Sequence, residues 1–175
     1  MPRILYYVAA SLDGYIADRE DGLDWLKAVE REGEDYGYGE FYASVQACVM
    51  GRRTYDVTRH FDPWPYPGKP AIVMTSHPLA SDREGLEFFG ADVAAVVQRL
   101  AKRGYERVWL VGGGALASAF LEAGALDEIL LSTIPVVLGD GLPLFARVPA
   151  RRPLEPVSSR TYPSGLVQTR WRVRN

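Results

Sequence analysis

The sequence predicts an α/β fold built on a mostly parallel, doubly wound sheet, with helices on both faces and a C-terminal antiparallel hairpin. Three observations carry this expectation. Short apolar runs alternate along the chain with stretches of helical spacing, the order that joins parallel strands through crossover helices. Most of these runs are apolar at consecutive positions, as in strands buried on both faces. Only the last two strand-like runs follow one another directly, across Pro163-Ser164-Gly165, a hairpin signal.

Residues 3–10, rich in Ile, Leu, Tyr and Val, form the first expected strand, and Asp13-Gly14 punctuates its end. The charged loop Asp18-Arg19-Glu20-Asp21-Gly22 leads to residues 23–32, which have helical spacing through Leu23, Leu26 and Val29-Glu30. Residues 33–39 are a glycine-rich acidic connection. A helix is expected over 41–45, a second buried strand over 47–50, and a helix over 52–59 after Gly51. Residues 61–68 carry three prolines, which remove donors and restrict their predecessors, so no regular element fits there. Residues 70–75 and 86–89 read as the third and fourth strands. Residues 92–103 form a helix with Asp92 as its cap and Gly104 past its end. A fifth strand over 107–111 runs into Gly112-Gly113-Gly114 and the helix-compatible 115–121. Residues 127–137 are strand-like, and 154–162 and 166–173 form the hairpin. No repeat, low-complexity tract or linker interrupts the chain, so residues 1–175 are expected to form one domain.

Composition narrows the partners. The net charge of −2 gives no footprint for nucleic acid or an anionic membrane. The most basic stretch, Arg170-Trp171-Arg172-Val173-Arg174, alternates as a strand with one wet face. Cys48 is the only cysteine, so no intramolecular disulfide forms, and its apolar surroundings mark it as a buried small hydrophobe. With no signal-like segment and no long apolar span, a cytoplasmic location is expected.

The chemistry concentrates at glycines. Gly112-Gly113-Gly114 closes an apolar strand and opens a helix, which presents bare backbone N–H groups at the positive end of the helix dipole. Without a Cβ, a diphosphate can approach that backbone closely. Met50-Gly51-Arg52-Arg53-Thr54 repeats the strand-glycine-helix pattern and adds two cations and a hydroxyl. Taken alone it reads as a solvated basic pair. Together the two turns can hold one diphosphate from opposite sides. Met74-Thr75-Ser76 supplies hydroxyls where an adenosine ribose or its 2′-phosphate could lie.

Other constellations are absent or incomplete. There is no Walker motif, G-x-G-x-x-G fingerprint or G-x-S-x-G elbow. The Asp18–Asp21 stretch lacks the glycine and final carboxylate of a calcium loop. His60 and His77 have no partner at metal-ligand spacing, so no metal is expected.

In order, Val8-Ala9-Ala10-Ser11-Leu12-Asp13-Gly14-Tyr15-Ile16-Ala17, Trp25, Met50-Gly51-Arg52-Arg53-Thr54, Val111-Gly112-Gly113-Gly114 and Pro135-Val136-Val137-Leu138-Gly139-Asp140-Gly141-Leu142-Pro143-Leu144-Phe145 span nearly the whole chain. This succession resembles the dihydrofolate reductase-like superfamily, and within it the reductase branch of riboflavin biosynthesis, the C-terminal domain of the bifunctional deaminase-reductase. The resemblance implies a three-layer fold, NADPH as hydride donor, and a small heterocyclic or ribose-type substrate, as in 5-amino-6-(5-phosphoribosylamino)uracil reductase. It implies that Ala9, Ile16 and Val111 lie near the nicotinamide. Gly51, Arg53 and Thr54 would hold the diphosphate from one side, and Gly112, Gly113, Gly114, Ala115 and Leu116 from the other. Arg52 and Ser76, beside Met74 and Thr75, would read the 2′-phosphate. Tyr7, Trp25 and Ser132 would line the substrate pocket.

The chain also departs from its relatives' pattern. Ala115 and Ala117 stand where folate reductases often carry an arginine and an aromatic. Tyr7 replaces a lysine, and Tyr55 to His60 lacks an Asp-Asp-Pro stretch, both on the substrate side of riboflavin reductases. Glu30, five residues beyond Trp25, has the spacing of the folate reductases' proton-assisting carboxylate and is the candidate catalytic residue. The alternatives are a dihydrofolate or pteridine reductase and a non-catalytic NADPH-binding sensor. The resemblance further implies a homodimer.

Overall fold

The computed structural model describes residues 1–81, 83–90 and 92–174. The chain runs through β1 (Arg3–Ser11), β2 (Tyr15–Ala17), a 3-10 helix (Asp24–Val29), α1 (Tyr38–Ser44), β3 (Ala47–Gly51), α2 (Arg52–Thr58) and β4 (Ala71–Met74). It continues with β5 (Leu86–Phe89), α3 (Val93–Lys102), β6 (Arg107–Gly112), α4 (Gly114–Glu122) and β7 (Glu128–Ile134). It ends with β8 (Leu142–Pro143), β9 (Leu154–Thr161) and β10 (Val167–Val173).

One eight-stranded sheet has the order β5-β4-β3-β6-β1-β7-β10-β9. Its first six strands are parallel; β10 pairs antiparallel with β7, and β9 antiparallel with β10. Successive side chains of a strand point to opposite faces, so the central strands feed two cores. Ile4, Tyr6, Val108 and Leu110 pack beneath α3 and α4, with Val96, Leu100, Ala117 and Phe120. Leu5, Cys48, Met50 and Trp109 face the other way, against Phe41 of α1 and Tyr55 of α2. Each of these larger apolar side chains contributes about 1.5–3 kcal/mol on burial. Cys48 is fully buried, and burial pushes its thiol up to about 12.

Local signals set the element ends. The Asp92 side chain accepts the Ala94 N–H at 2.8 Å to cap α3, and Gly104 takes φ +74° just past the helix. At the join between parallel and antiparallel strands, Glu128 is 2% exposed and accepts from the guanidinium groups of Arg3 on β1 and Arg170 on β10. That carboxylate ties three adjacent strands together.

Two local expectations need correction, and one element was not foreseen. The helix expected over residues 23–32 is a 3-10 helix of six residues, with no side-chain cap and only Val29 buried. The strand expected over 127–137 stops at Ile134, because Pro135 has no N–H for the ladder. The pairing of β2 with β8 forms a second, two-stranded sheet. Its strands are too short to show a period, and they lie over a hundred residues apart. Among the described residues, no helix is long and apolar enough to cross a membrane.

Candidate active site

The parallel strands end on one rim, where open α/β sheets place their ligands. β3 and β6 are paired neighbours with Met50 opposite Gly112, so the two glycine turns emerge side by side. A Cβ on Gly51 would lie 3.7 Å from the Gly112 carbonyl oxygen and 4.0 Å from Gly113 N. The Gly112–Gly113 peptide is cis, and Gly112 has φ +132°, a region that favours glycine. A Cβ on Gly113 would meet Ile16 and the Thr54 hydroxyl, each at 3.7 Å. Gly114 has no room for one, because the Pro143 carbonyl sits against it.

A mostly apolar cleft of about 550 Å³ opens over these turns. Val8 and Ala9 of β1 and Ile16 and Ala17 of β2 form one wall, and Gly51 to Thr54 and Val111 to Ala115 form the other. Both arginines are held by carboxylates. Arg52 Nε donates to both Asp56 oxygens at 2.9 Å, while its Nη1 lies 3.5 Å from the His77 carbonyl. Arg53 Nε donates to Asp21 Oδ1 at 2.8 Å, and Asp21 itself lines the cleft.

A second cavity, of about 690 Å³, adjoins the first along Tyr7, Ala9 and Leu26, which line both. Glu30 stands exposed at its mouth and Ser132 is buried in its wall. The Gln168 side-chain amide donates to Ser132 Oγ at 3.2 Å and reaches the Tyr7 hydroxyl at 3.5 Å. Burial pushes the Tyr7 phenol up to about 12, against the Gln168 and Ser132 hydrogen bonds that lower it.

The structure thus brings Ala9, Ile16, Gly51, Arg52, Arg53, Thr54, Val111 and the Gly112–Ala115 turn to one cleft. The remaining candidates lie elsewhere. Leu116 packs beside Gly51 against the core, without lining the cleft. Met74 is buried in the core under α3. The Thr75 hydroxyl accepts the His77 N–H at 3.1 Å, and Ser76 Oγ lies 2.9 Å from His77 Nδ1. The Thr75–His77 loop meets the cleft through Arg52. Trp25 lines neither cavity; its indole N–H donates to the Gly22 carbonyl at 3.2 Å.

Sequence reasoning missed Asp21, Trp109 and Thr58 in the first cleft and Gln168 beside the second. Leu142 and Pro143, also lining the cleft, lay inside a quoted motif and carried no assigned role. No local pattern marks the others. Among the described residues, no cluster of His, Cys, Asp and Glu is placed to hold a metal ion.

Comparison with known proteins places this architecture. A dihydrofolate reductase from Enterococcus faecalis, solved in complex with NADP(H), superposes with a TM-score of 0.71 at 18% identity, covering 99% of this chain and 97% of its own. A Shewanella sp. PV-4 protein named for riboflavin biosynthesis superposes with a TM-score of 0.91 at 28% identity over 99% of both chains. YwjB of Bacillus subtilis (strain 168) is 38% identical over 144 residues, 82% of each chain. The fold is that of the dihydrofolate reductase-like α/β proteins. Within that class the chain belongs to the RibD C-terminal domain family, which matches residues 2–168.

Proposed function

We propose that the protein is an NADPH-dependent reductase acting on a C=N or C=O bond of a small heterocyclic or ribose-type substrate. The observation that carries this reading is the adjacency of two glycine turns, flanked by Arg52 and Arg53, at the floor of one apolar cleft. The residues present fit the cofactor. Side chains at Gly51 and Gly113 would fill the space between the turns, and Arg52 and Arg53 line the same mostly apolar cleft. When bound, NADPH supplies the hydride.

The chain's own residues bind, orient and exclude water. The N–H groups of Gly114 and Ala115 begin α4, with no intrahelical partner of their own, and would suit the diphosphate. Thr54 adds a hydroxyl beside Gly113. Arg52, between Asp56 and the Thr75–His77 loop, would favour a 2′-phosphate over a bare ribose. Val111, Ala9 and Ile16 form apolar walls that keep water from the reacting face. Glu30 would assist protonation from the mouth of the second cavity, within reach of solvent.

Calorimetric titration with NADPH and NADH tests the reading. Wild type should prefer NADPH, and Arg52→Ala should weaken NADPH about tenfold or more, the scale of one charge-assisted bond, while sparing NADH. Equal losses for both would remove Arg52 from the 2′-phosphate site. Micromolar or weaker binding with no preference for NADPH would overturn the cofactor assignment.

A further inference from the structure

The second cavity has a polar end, aromatic walls and a charged mouth, and each constrains what can enter. At the polar end, the Gln168 amide divides its two protons among the Tyr36 carbonyl at 3.1 Å, Ser132 Oγ at 3.2 Å and the Tyr7 hydroxyl at 3.5 Å. The amide oxygen faces the Tyr162 hydroxyl at 3.5 Å, which fixes the orientation of the amide. Tyr7 and Ser132 therefore both act as acceptors, and each still carries a proton. Among the described residues, no carbonyl or carboxylate accepts either one. At most one can bond the other's oxygen, so a hydroxyl donor is left over, beside a serine that is 6% exposed. That donor faces the cavity that Tyr7 and Ser132 line, where a ligand acceptor would satisfy it.

The walls favour a flat ligand. Tyr36, Tyr38 and Tyr7 line the space, and Tyr7 is held in place by stacking on Phe41 at 4.4 Å between centroids. At the mouth, Glu30, Glu32, Glu34 and Asp35 are exposed, opposed among the lining residues only by Arg31. The Arg31 guanidinium is already engaged with the Glu30 carbonyl at 2.6 Å. A phosphate monoester, carrying about −1.5 to −2 charges at neutral pH, would meet a net negative mouth, four carboxylates against one guanidinium.

We infer that this cavity takes a planar heterocycle that is neutral or cationic, presents a hydrogen-bond acceptor to Tyr7 and Ser132, and bears no phosphate. The substrate class thus differs from the phosphoribosylamino pyrimidine that the family resemblance suggests. Calling the ligand a substrate rests on the reading of the first cleft as the cofactor side, which the seam at Tyr7, Ala9 and Leu26 joins to this cavity.

Three quinazolin-4-ones with the same ring and carbonyl acceptor test the inference: the 6-aminomethyl (cationic), 6-methyl (neutral) and 6-carboxy (anionic) compounds. Each is titrated calorimetrically into the full chain without dinucleotide, at low salt. The cation should bind at least about tenfold more tightly than the anion, with the neutral compound between. Ser132→Ala should weaken all three by a similar factor and keep their order. Glu32→Lys/Glu34→Lys should erase or invert the order, and the milder Glu32→Gln should narrow it. The inference is overturned if the anion binds as tightly as the cation, if none of the three binds, or if the charge variants leave the order unchanged. Separate NADPH titrations of the same samples keep the two readings apart, because loss of NADPH binding would sink the first and leave this ranking intact.

Discussion

Replacing Asp21 with Asn should raise affinity for NADPH. Arg53 stands at the start of α2 beside the glycine turns, yet its Nε is bonded to Asp21 at 2.8 Å. An incoming diphosphate has to draw Arg53 away from that carboxylate, so the pair competes with the ligand. Its strength sets the size of the gain. The side chains are 59% and 29% exposed, so water and salt screen the pair, and such surface pairs are worth about 0.2–1 kcal/mol. Removing the competitor should therefore tighten NADPH by about 1.4- to 5-fold. Titration at low ionic strength should show the full gain, which should fade toward 1 M salt, where the Debye length falls to about 3 Å. Deleting a negative charge also favours any anion at long range, and the Arg53→Ala background separates the two effects. There the competition is gone, and Asp21→Asn should add little. Unchanged affinity at low salt, or the same gain without Arg53, would refute the reasoning.

Two further predictions concern the frame around the site. Glu128→Gln should destabilise the fold by about 2–3 kcal/mol in denaturant titration, below the 3–5 kcal/mol of a fully buried pair because Arg3 and Arg170 can reach water. A loss under about 1 kcal/mol would show that the three strands do not depend on that carboxylate. Asp13 accepts from the Ser11 hydroxyl and from the Leu138 and Gly139 N–H groups, which hold its carboxyl down to about 2. Its folded value lies below the unfolded one, so its contribution is fully present above about pH 4 and is lost as pH falls through about 2. NMR titration should find that value near 2 in the wild type and higher in Ser11→Ala; equal values would remove Ser11 as the main cause.

What the sequence made legible was local. At Gly51 and Gly112–Gly114 a strand, a glycine and a helix follow within a few residues, so the pattern is visible before any tertiary contact is known. The contacts that complete the site are distant. Asp13 closes on Gly139 across 126 positions, and Gln168 reaches Ser132 across 36 and Tyr7 across 161. Neither pairing leaves a trace in spacing. Asp21 read as a solvated acid because nothing near it in the sequence announces Arg53, 32 residues on. Ser132, in contrast, sits within the predicted β7, but its partners come from β1 and β10, and only their register against β7 brings the three together.

Trp25 and Glu30 show that spacing alone does not bring two side chains to one cavity. Five positions apart on an α-helix, two side chains are separated by about 140° around the axis. The segment is a 3-10 helix instead, which turns about 120° per residue against about 100°, so the same interval accumulates about 100° more. That puts Glu30 about 120° from Trp25 in the opposite sense around the axis: Trp25 turns back to the Gly22 carbonyl, and Glu30 opens onto the mouth of the second cavity. A tryptophan-carboxylate pair acting on one bound ring is therefore not assembled here. If Glu30 assists a proton, it does so from the solvent side, and its partner at the buried end is the Tyr7–Ser132 hydroxyl pair. The two ends of the cavity then divide the work, with the acidic mouth selecting charge and the hydroxyls orienting the ring toward the seam with the first cleft.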